Sequence, residues 1–175
     1  HPGSISDDPT RVVRAARYAA RLDFHLADDS LEQLRQTMER WPWRWSTSDV
    51  KGKAPPALST RLGMELDRLF EREPWAEALS LLQGWSAMAL VDPAMQDDLQ
   101  WRQRLTGACR LRVPLLPSLL LGAADPLEVA KRLDLPGQQT KVLGQCRDLL
   151  AWLQEHAPPP GAPPSRWCRA LEGSG

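Results

Sequence analysis

From Asp8 to Leu22 the apolar positions recur with a helical period. At about 100° per residue, Val12, Val13, Ala16, Ala19 and Ala20 fall on one side, and Arg11, Arg14, Arg17 and Arg21 fall on the other. Asp8 followed by Pro9 is a start signal: Asp8 is placed to cap, and Pro9 to take the first helical position, where a missing N–H costs nothing. The small alanines let one face approach a neighbouring helix closely. The arginine face offers donors to something anionic or polar.

The same period carries on along the chain. A second helix is expected after Asp28-Asp29-Ser30, with Leu31, Leu34 and Met38 on one face, ending at Trp41-Pro42-Trp43-Arg44-Trp45. Ser46 to Ala57 holds Ser, Thr, Lys, Gly and paired prolines and reads as a loop, the natural domain boundary. Ser59 or Thr60 should cap a helix with Leu62, Leu66 and Leu69 at core spacing. Pro74 opens another, ending near Gly84, and Asp92-Pro93 opens one running towards Arg110. Pro117 should interrupt the apolar run that follows. Asp125-Pro126 starts a short helix to Leu133, and Pro136 a longer one through Leu149, Leu150, Trp152 and Leu153. Ala157 to Pro164 reads as a proline-rich linker, and Ser165 to Leu171 as a last short helix. Strand signals are almost absent and no fixed repeat period emerges, so the fold class is all-α.

Composition narrows the chemistry. With 22 basic and 22 acidic residues the formal net charge of the 175-residue chain is zero, so any RNA binding must use local patches and not a global field. Cys109, Cys146 and Cys168 lie far apart with no C-x-x-C, and His1, His25 and His156 do not cluster with them. That argues against a zinc site and for reduced thiols in a cytoplasmic protein. The longest apolar run, Val113 to Gly122, is too short to span a bilayer and contains Pro114 and Pro117, so no membrane partner is expected.

Two basic segments stand out. Trp101 to Arg112 holds Arg102, Arg104, Arg110 and Arg112 and no acid, so it either holds an RNA backbone or is a solvated face balanced from elsewhere. Trp41, Trp43 and Trp45 flank Arg44; they either stack on unpaired bases or pin a helix end to the core. Lys51 and Lys53 read as solvating.

The stretch Asp7-Asp8-Pro9-Thr10-Arg11, continuing as Arg14-Ala15-Ala16-Arg17-Tyr18-Ala19-Ala20-Arg21-Leu22-Asp23-Phe24, resembles the nucleotide-reading motif of class II tRNA nucleotidyltransferases and the related bacterial poly(A) polymerases. The family pattern is an acidic pair, two residues and Arg, then a helix of the type R-x-x-R-A-x-R-F-A-A-R-L-G-F. Asp7 stands where the family usually has Glu, and Asp23 where it has Gly, at a position expected to be left-handed.

The resemblance implies an irregular multi-helix array of the kind found C-terminal to the catalytic head in that family. Residues 1–45 would be a neck carrying the base-reading helix, 46–57 a linker loop, 58–156 a helical body, and 157–175 a proline-rich linker and the start of a tail. It also implies template-independent addition of C, A or both to tRNA 3′ ends from CTP and ATP.

Protein groups must then read the base. Cytosine and adenine present an exocyclic amine beside a ring-nitrogen acceptor, which a carboxylate and a guanidinium match. Uracil and guanine present a carbonyl beside an N–H and do not. The resemblance assigns this reading to Asp8 and Arg11, three apart at the helix start, with Asp7 and Arg14 beside them. On spacing alone Asp8 and Arg11 are equally an ordinary helix start and surface pair.

The family's Mg²⁺ is held by a D-x-D carboxylate pair in an α/β head. This sequence contains no D-x-D, so the chain is expected to bind no metal and to be inactive alone, the parent enzyme supplying the head. A poly(A) polymerase region and a non-catalytic helical RNA- or protein-binding module are the competing readings.

Overall fold

A computed structural model describes residues 4–40 and 56–172. The described residues are helical with no strand, as the patterning predicts. Helix α1 is Ser4–Asp7, α2 Thr10–Leu22, α3 Asp28–Arg40, α4 Pro56–Arg72 and α5 Trp75–Gly84. A 3₁₀ turn, Ala87–Leu90, leads to α6 Pro93–Gln96, α7 Trp101–Leu111, α8 Leu115–Leu120, α9 Pro126–Arg132, α10 Gly137–His156 and α11 Pro164–Glu172. The tryptophan cluster at 41–45 and Lys51 and Lys53 lie outside the described residues.

Four boundaries differ from expectation, each for a local reason. Helix α3 starts at Asp28, ahead of Asp28-Asp29-Ser30's expected end, because Asp28 and Asp29 suit the positive first turn. Helix α4 starts at Pro56, ahead of Ser59, since proline is preorganised for the first helical position. The single helix expected from Asp92 to Arg110 is two. Asp92 caps α6 by accepting from the Ala94 N–H at 2.9 Å, and the Asp98 side chain accepts from the Gln100 N–H at 2.9 Å, restarting the chain as α7. Pro117 lies inside α8 and does not interrupt it, because it falls in the first turn, where no intrahelical donor is needed.

One hydrophobic core runs from Val12 to Leu143 and draws on α2 to α10. Helix α2 packs against α5 and α4. Val12 and Ala16 are fully buried, so the alanine face does seat on neighbouring helices. Helix α4 approaches the end of α9 closely: a Cβ built at Gly63 would lie 2.5 Å from the Leu133 carbonyl oxygen. Helix α11 adds no buried residue.

Candidate functional site

The start of α2 is built by Asp8. Its Oδ1 accepts from the Thr10 N–H at 3.1 Å and the Thr10 hydroxyl at 2.6 Å, while its carbonyl accepts from the Arg11 N–H at 3.0 Å. The cap expected of Asp8 therefore forms, although Pro9 occupies the cap position itself and Thr10 is the first helical residue. At the other end Asp23 takes the left-handed conformation expected of it, with φ 52° and ψ 47°, and its N–H returns to the Ala19 carbonyl.

Asp8 and Arg11 share this end of the helix but are not bonded to each other. Arg11 is exposed and donates to the carbonyl and hydroxyl of Ser4 on α1. The Asp8 Oδ2 faces Arg61 of α4 at 3.7 Å. Asp7 is exposed at the end of α1. An acceptor and a donor thus stand one helical turn apart: Asp8 Oδ1 is committed to the cap, while its Oδ2 and the Arg11 guanidinium make only exposed or partly exposed contacts that can exchange with a ligand.

Below this edge the arginine face is not simply solvated. Arg17 is 6% exposed and donates to both Glu65 and Glu73, the latter at 3.0 Å. Arg14 donates to Glu65 at 2.9 Å, Arg68 to Glu65 at 3.1 Å, and Arg21 lies 3.6 Å from Glu73. Glu65 and Glu73 are both buried. Burial pushes the Glu65 carboxyl up, but the hydrogen bonds and charges of Arg14 and Arg17 outweigh it and hold the group below the usual carboxylate range. The same contact, chiefly the hydrogen bond to Glu65, holds the Arg14 guanidinium more firmly protonated than usual.

A depressed folded-state pKa means that Glu65 adds stability above its unfolded-state pKa, near the ordinary ~4.3, and that this is lost as pH falls through the folded value. Stability measured by urea unfolding is expected to fall with pH below about 5. Glu65→Gln should flatten that fall, because the variant has no proton to take up at this position.

Glu65, Glu73, Arg61 and Arg68 were not singled out by motif. Glu73 falls on the same face of the helical pattern as Leu62, Leu66 and Leu69 at about 100° per residue, and a carboxylate at a core position is a signal for a buried arginine partner.

The basic segment of α7 is not one surface. Arg104 turns inward, donating to Asp98 and to the carbonyls of Ser118 at 2.7 Å and Leu119 at 3.3 Å. Arg102 is exposed, donates to the Ser80 hydroxyl at 2.5 Å and lies over the Trp101 ring at 4.9 Å. Arg110 and Arg112 are exposed, Arg112 in the left-handed cap position with φ 55°. Structure thus keeps Arg102, Arg110 and Arg112 at the surface and assigns Arg104 to holding α7 against α8.

Comparison with known proteins places these observations. The chain is 29% identical over 91 residues to the Multifunctional CCA protein of Neisseria gonorrhoeae, covering 51% of this chain and 19% of that protein. It is 26% identical over 113 residues to the CCA-adding enzyme of Bordetella pertussis and 29% identical over 116 residues to that of Pseudomonas putida, in each case covering 64% of this chain and 28% of the relative. The resemblance is to the CCA-adding enzymes. The matched stretch spans only about a fifth to a quarter of the length of these CCA-adding relatives. No family model matches the chain, and no solved structure matches it significantly.

Among the described residues no group of three or more His, Cys, Asp or Glu side chains could hold a metal ion. No described helix is long and apolar enough to cross a membrane.

Proposed function

We propose that this chain is the helical, nucleotide- and RNA-contacting part of a template-independent tRNA nucleotidyltransferase that adds C, A or both. The observation that carries it is the acidic pair and arginine helix of residues 7–24, in a chain similar to CCA-adding enzymes. Asp8 accepts from the exocyclic amine of cytosine or adenine, and Arg11 donates to the adjacent ring nitrogen. Arg14 braces the edge through Glu65, and Asp7 adds negative charge beside it. Arg102, Arg110 and Arg112 hold the backbone of the paired tRNA stem. Catalytic carboxylates and Mg²⁺ belong to a separate head of the longer enzyme, which works in the cytoplasm.

The test is base choice in the longer enzyme. Asp8→Asn keeps the capping oxygen but puts an amide donor in place of the second carboxylate oxygen that accepts from the base amine, and Arg11→Ala removes the donor. Either change is expected to lower discrimination of CTP and ATP against UTP and GTP by roughly 5- to 150-fold, the equivalent of one bidentate base contact. Competition between the four nucleotides at equal concentration measures it. Unchanged discrimination in both variants, with unfolding temperature intact, would reduce these residues to a helix start.

A further inference from the structure

The seam between α2 and α4 carries a surplus of positive charge on a chain that has none overall. Five guanidiniums, those of Arg14, Arg17, Arg21, Arg61 and Arg68, share the three carboxylates of Asp8, Glu65 and Glu73. Glu65, Glu73 and Arg17 are sunk, and the other four cations are not. Side-chain exposure is 3% for Glu65 and 0% for Glu73, against 47% for Arg14 and Arg21, 62% for Arg61 and 43% for Arg68. What solvent meets is therefore a row of guanidinium edges, two charges in excess of their carboxylates, with most of the compensating oxygens out of reach beneath them. Residual donors on Arg14, Arg21, Arg61 and Arg68 remain at the surface, since a guanidinium carries five.

Tyr18 is set in the same row. It is 38% exposed, and the guanidiniums of Arg21 and Arg17 lie 4.9 Å and 5.7 Å from its ring centroid. At about 100° per residue Tyr18 shares the α2 face of Arg11, Arg14 and Arg21. A positive groove that tracks a backbone, beside an exposed aromatic on which a base can stack, is the general arrangement for holding unpaired nucleic acid. A duplex would not use Tyr18, because its bases already stack on one another.

We infer that the α2–α4 seam is a track for single-stranded RNA, with Arg14, Arg61 and Arg68 on phosphates and Tyr18 under a base. The inference deepens the proposed function: the track starts at the Asp8–Arg11 edge, so an unpaired 3′ end lying along it points at the base-reading pair. It is distinct from the α7 arginines, which are proposed to hold the paired stem.

The test is the binding of a labelled single-stranded RNA ending in CCA to this 175-residue chain, by fluorescence anisotropy across a salt series. Inorganic triphosphate and a blunt RNA duplex are the competing probes. Arg61→Gln with Arg68→Gln removes two exposed phosphate contacts, while Glu65 keeps Arg14 and Arg17 and Glu73 keeps its partners. The slope of log affinity against log salt should fall by about 1.4, each single-strand contact contributing about 0.7. Tyr18→Leu should weaken single-strand binding by roughly 5- to 150-fold and leave the slope alone. Duplex binding should not respond to Tyr18→Leu.

Three results would overturn the track. One is single-strand affinity and slope unchanged in both seam variants. Another is the same slope loss appearing with Arg110→Gln and Arg112→Gln instead. A third is triphosphate binding that responds to the seam variants while RNA binding does not, which would make the seam a nucleotide phosphate site. None of these alters the base-choice outcome of Asp8→Asn and Arg11→Ala, so the track can fail while the nucleotidyltransferase reading stands, and the reverse.

Discussion

Arg17→Ala is expected to lower the unfolding free energy by about 3–5 kcal/mol, the usual penalty for leaving a buried charge without its partner. Arg17 is the guanidinium that joins both buried carboxylates. Without it Glu65 keeps Arg14 and Arg68, but Glu73, whose side chain has no exposed surface, keeps only Arg21 at 3.6 Å among the described residues. Two buried atoms of this network, Arg17 Nε and Glu73 Oε2, have no hydrogen-bond partner among the described residues, so the intact cluster is not fully satisfied either. Its removal as a unit should then be milder than its disruption. Arg17→Met with Glu73→Gln is expected to recover a good part of the loss, because no lone charge is left inside. Urea unfolding of the two variants decides this, read as a shift of midpoint at constant m. A loss below about 1 kcal/mol for Arg17→Ala would mean that the cluster behaves like a surface ion pair.

Leu79→Ala should cost about 2–5 kcal/mol, through lost apolar transfer and the cavity left behind. Leu79 is fully buried on α5, the helix against which α2 packs. For a chain of this size each kcal/mol moves the unfolding temperature by about 2–4 °C. Leu99→Ala is the control. That leucine is 87% exposed, and its truncation should fall within about 0.5 kcal/mol of zero. Equal thermal shifts for the two variants would contradict the packing described around α5.

The weight of these two positions follows from what α2 does. Its N-terminal edge carries the proposed base-reading pair, and its orientation depends on two independent attachments. One is apolar: Val12, Val13 and Ala16 in the core. The other is ionic: Arg14, Arg17 and Arg21 on Glu65 and Glu73. Leu79→Ala loosens the first and Arg17→Ala the second.

Much of the local structure was legible in residues alone. Apolar period and proline position located α2, α5, α9, α10 and α11 to within a residue or two, because helices that bury one stripe must repeat at 3.6 residues. The left-handed Asp23 was expected from its place after the helix. The break between α6 and α7 was not, since it depends on Asp98 bonding the Gln100 N–H in preference to continuing the helix, a competition that periodicity does not register. Pro117 was misjudged because its effect depends on where the helix starts, and Pro117 falls in the first turn of α8.

The candidate site divides in the same way. Asp8, Arg11 and the arginine stripe are contiguous in the chain, and their order along one helix is a matter of sequence and helical geometry alone. Whether those arginines face water, ligand or protein is not, because their partners lie about fifty residues away on α4 and just past its end. The sequence by itself determined an all-α chain, a capped helix with separate apolar and cationic faces, and the acidic pair at its start. Only the tertiary structure decided that Arg17 is buried between two carboxylates, that Arg104 turns inward while Arg102 does not, and that Asp8 and Arg11 are not bonded to each other. Pairing of charges across the fold follows from the packing of whole helices, and that packing is set by the summed burial of the core rather than by any local pattern.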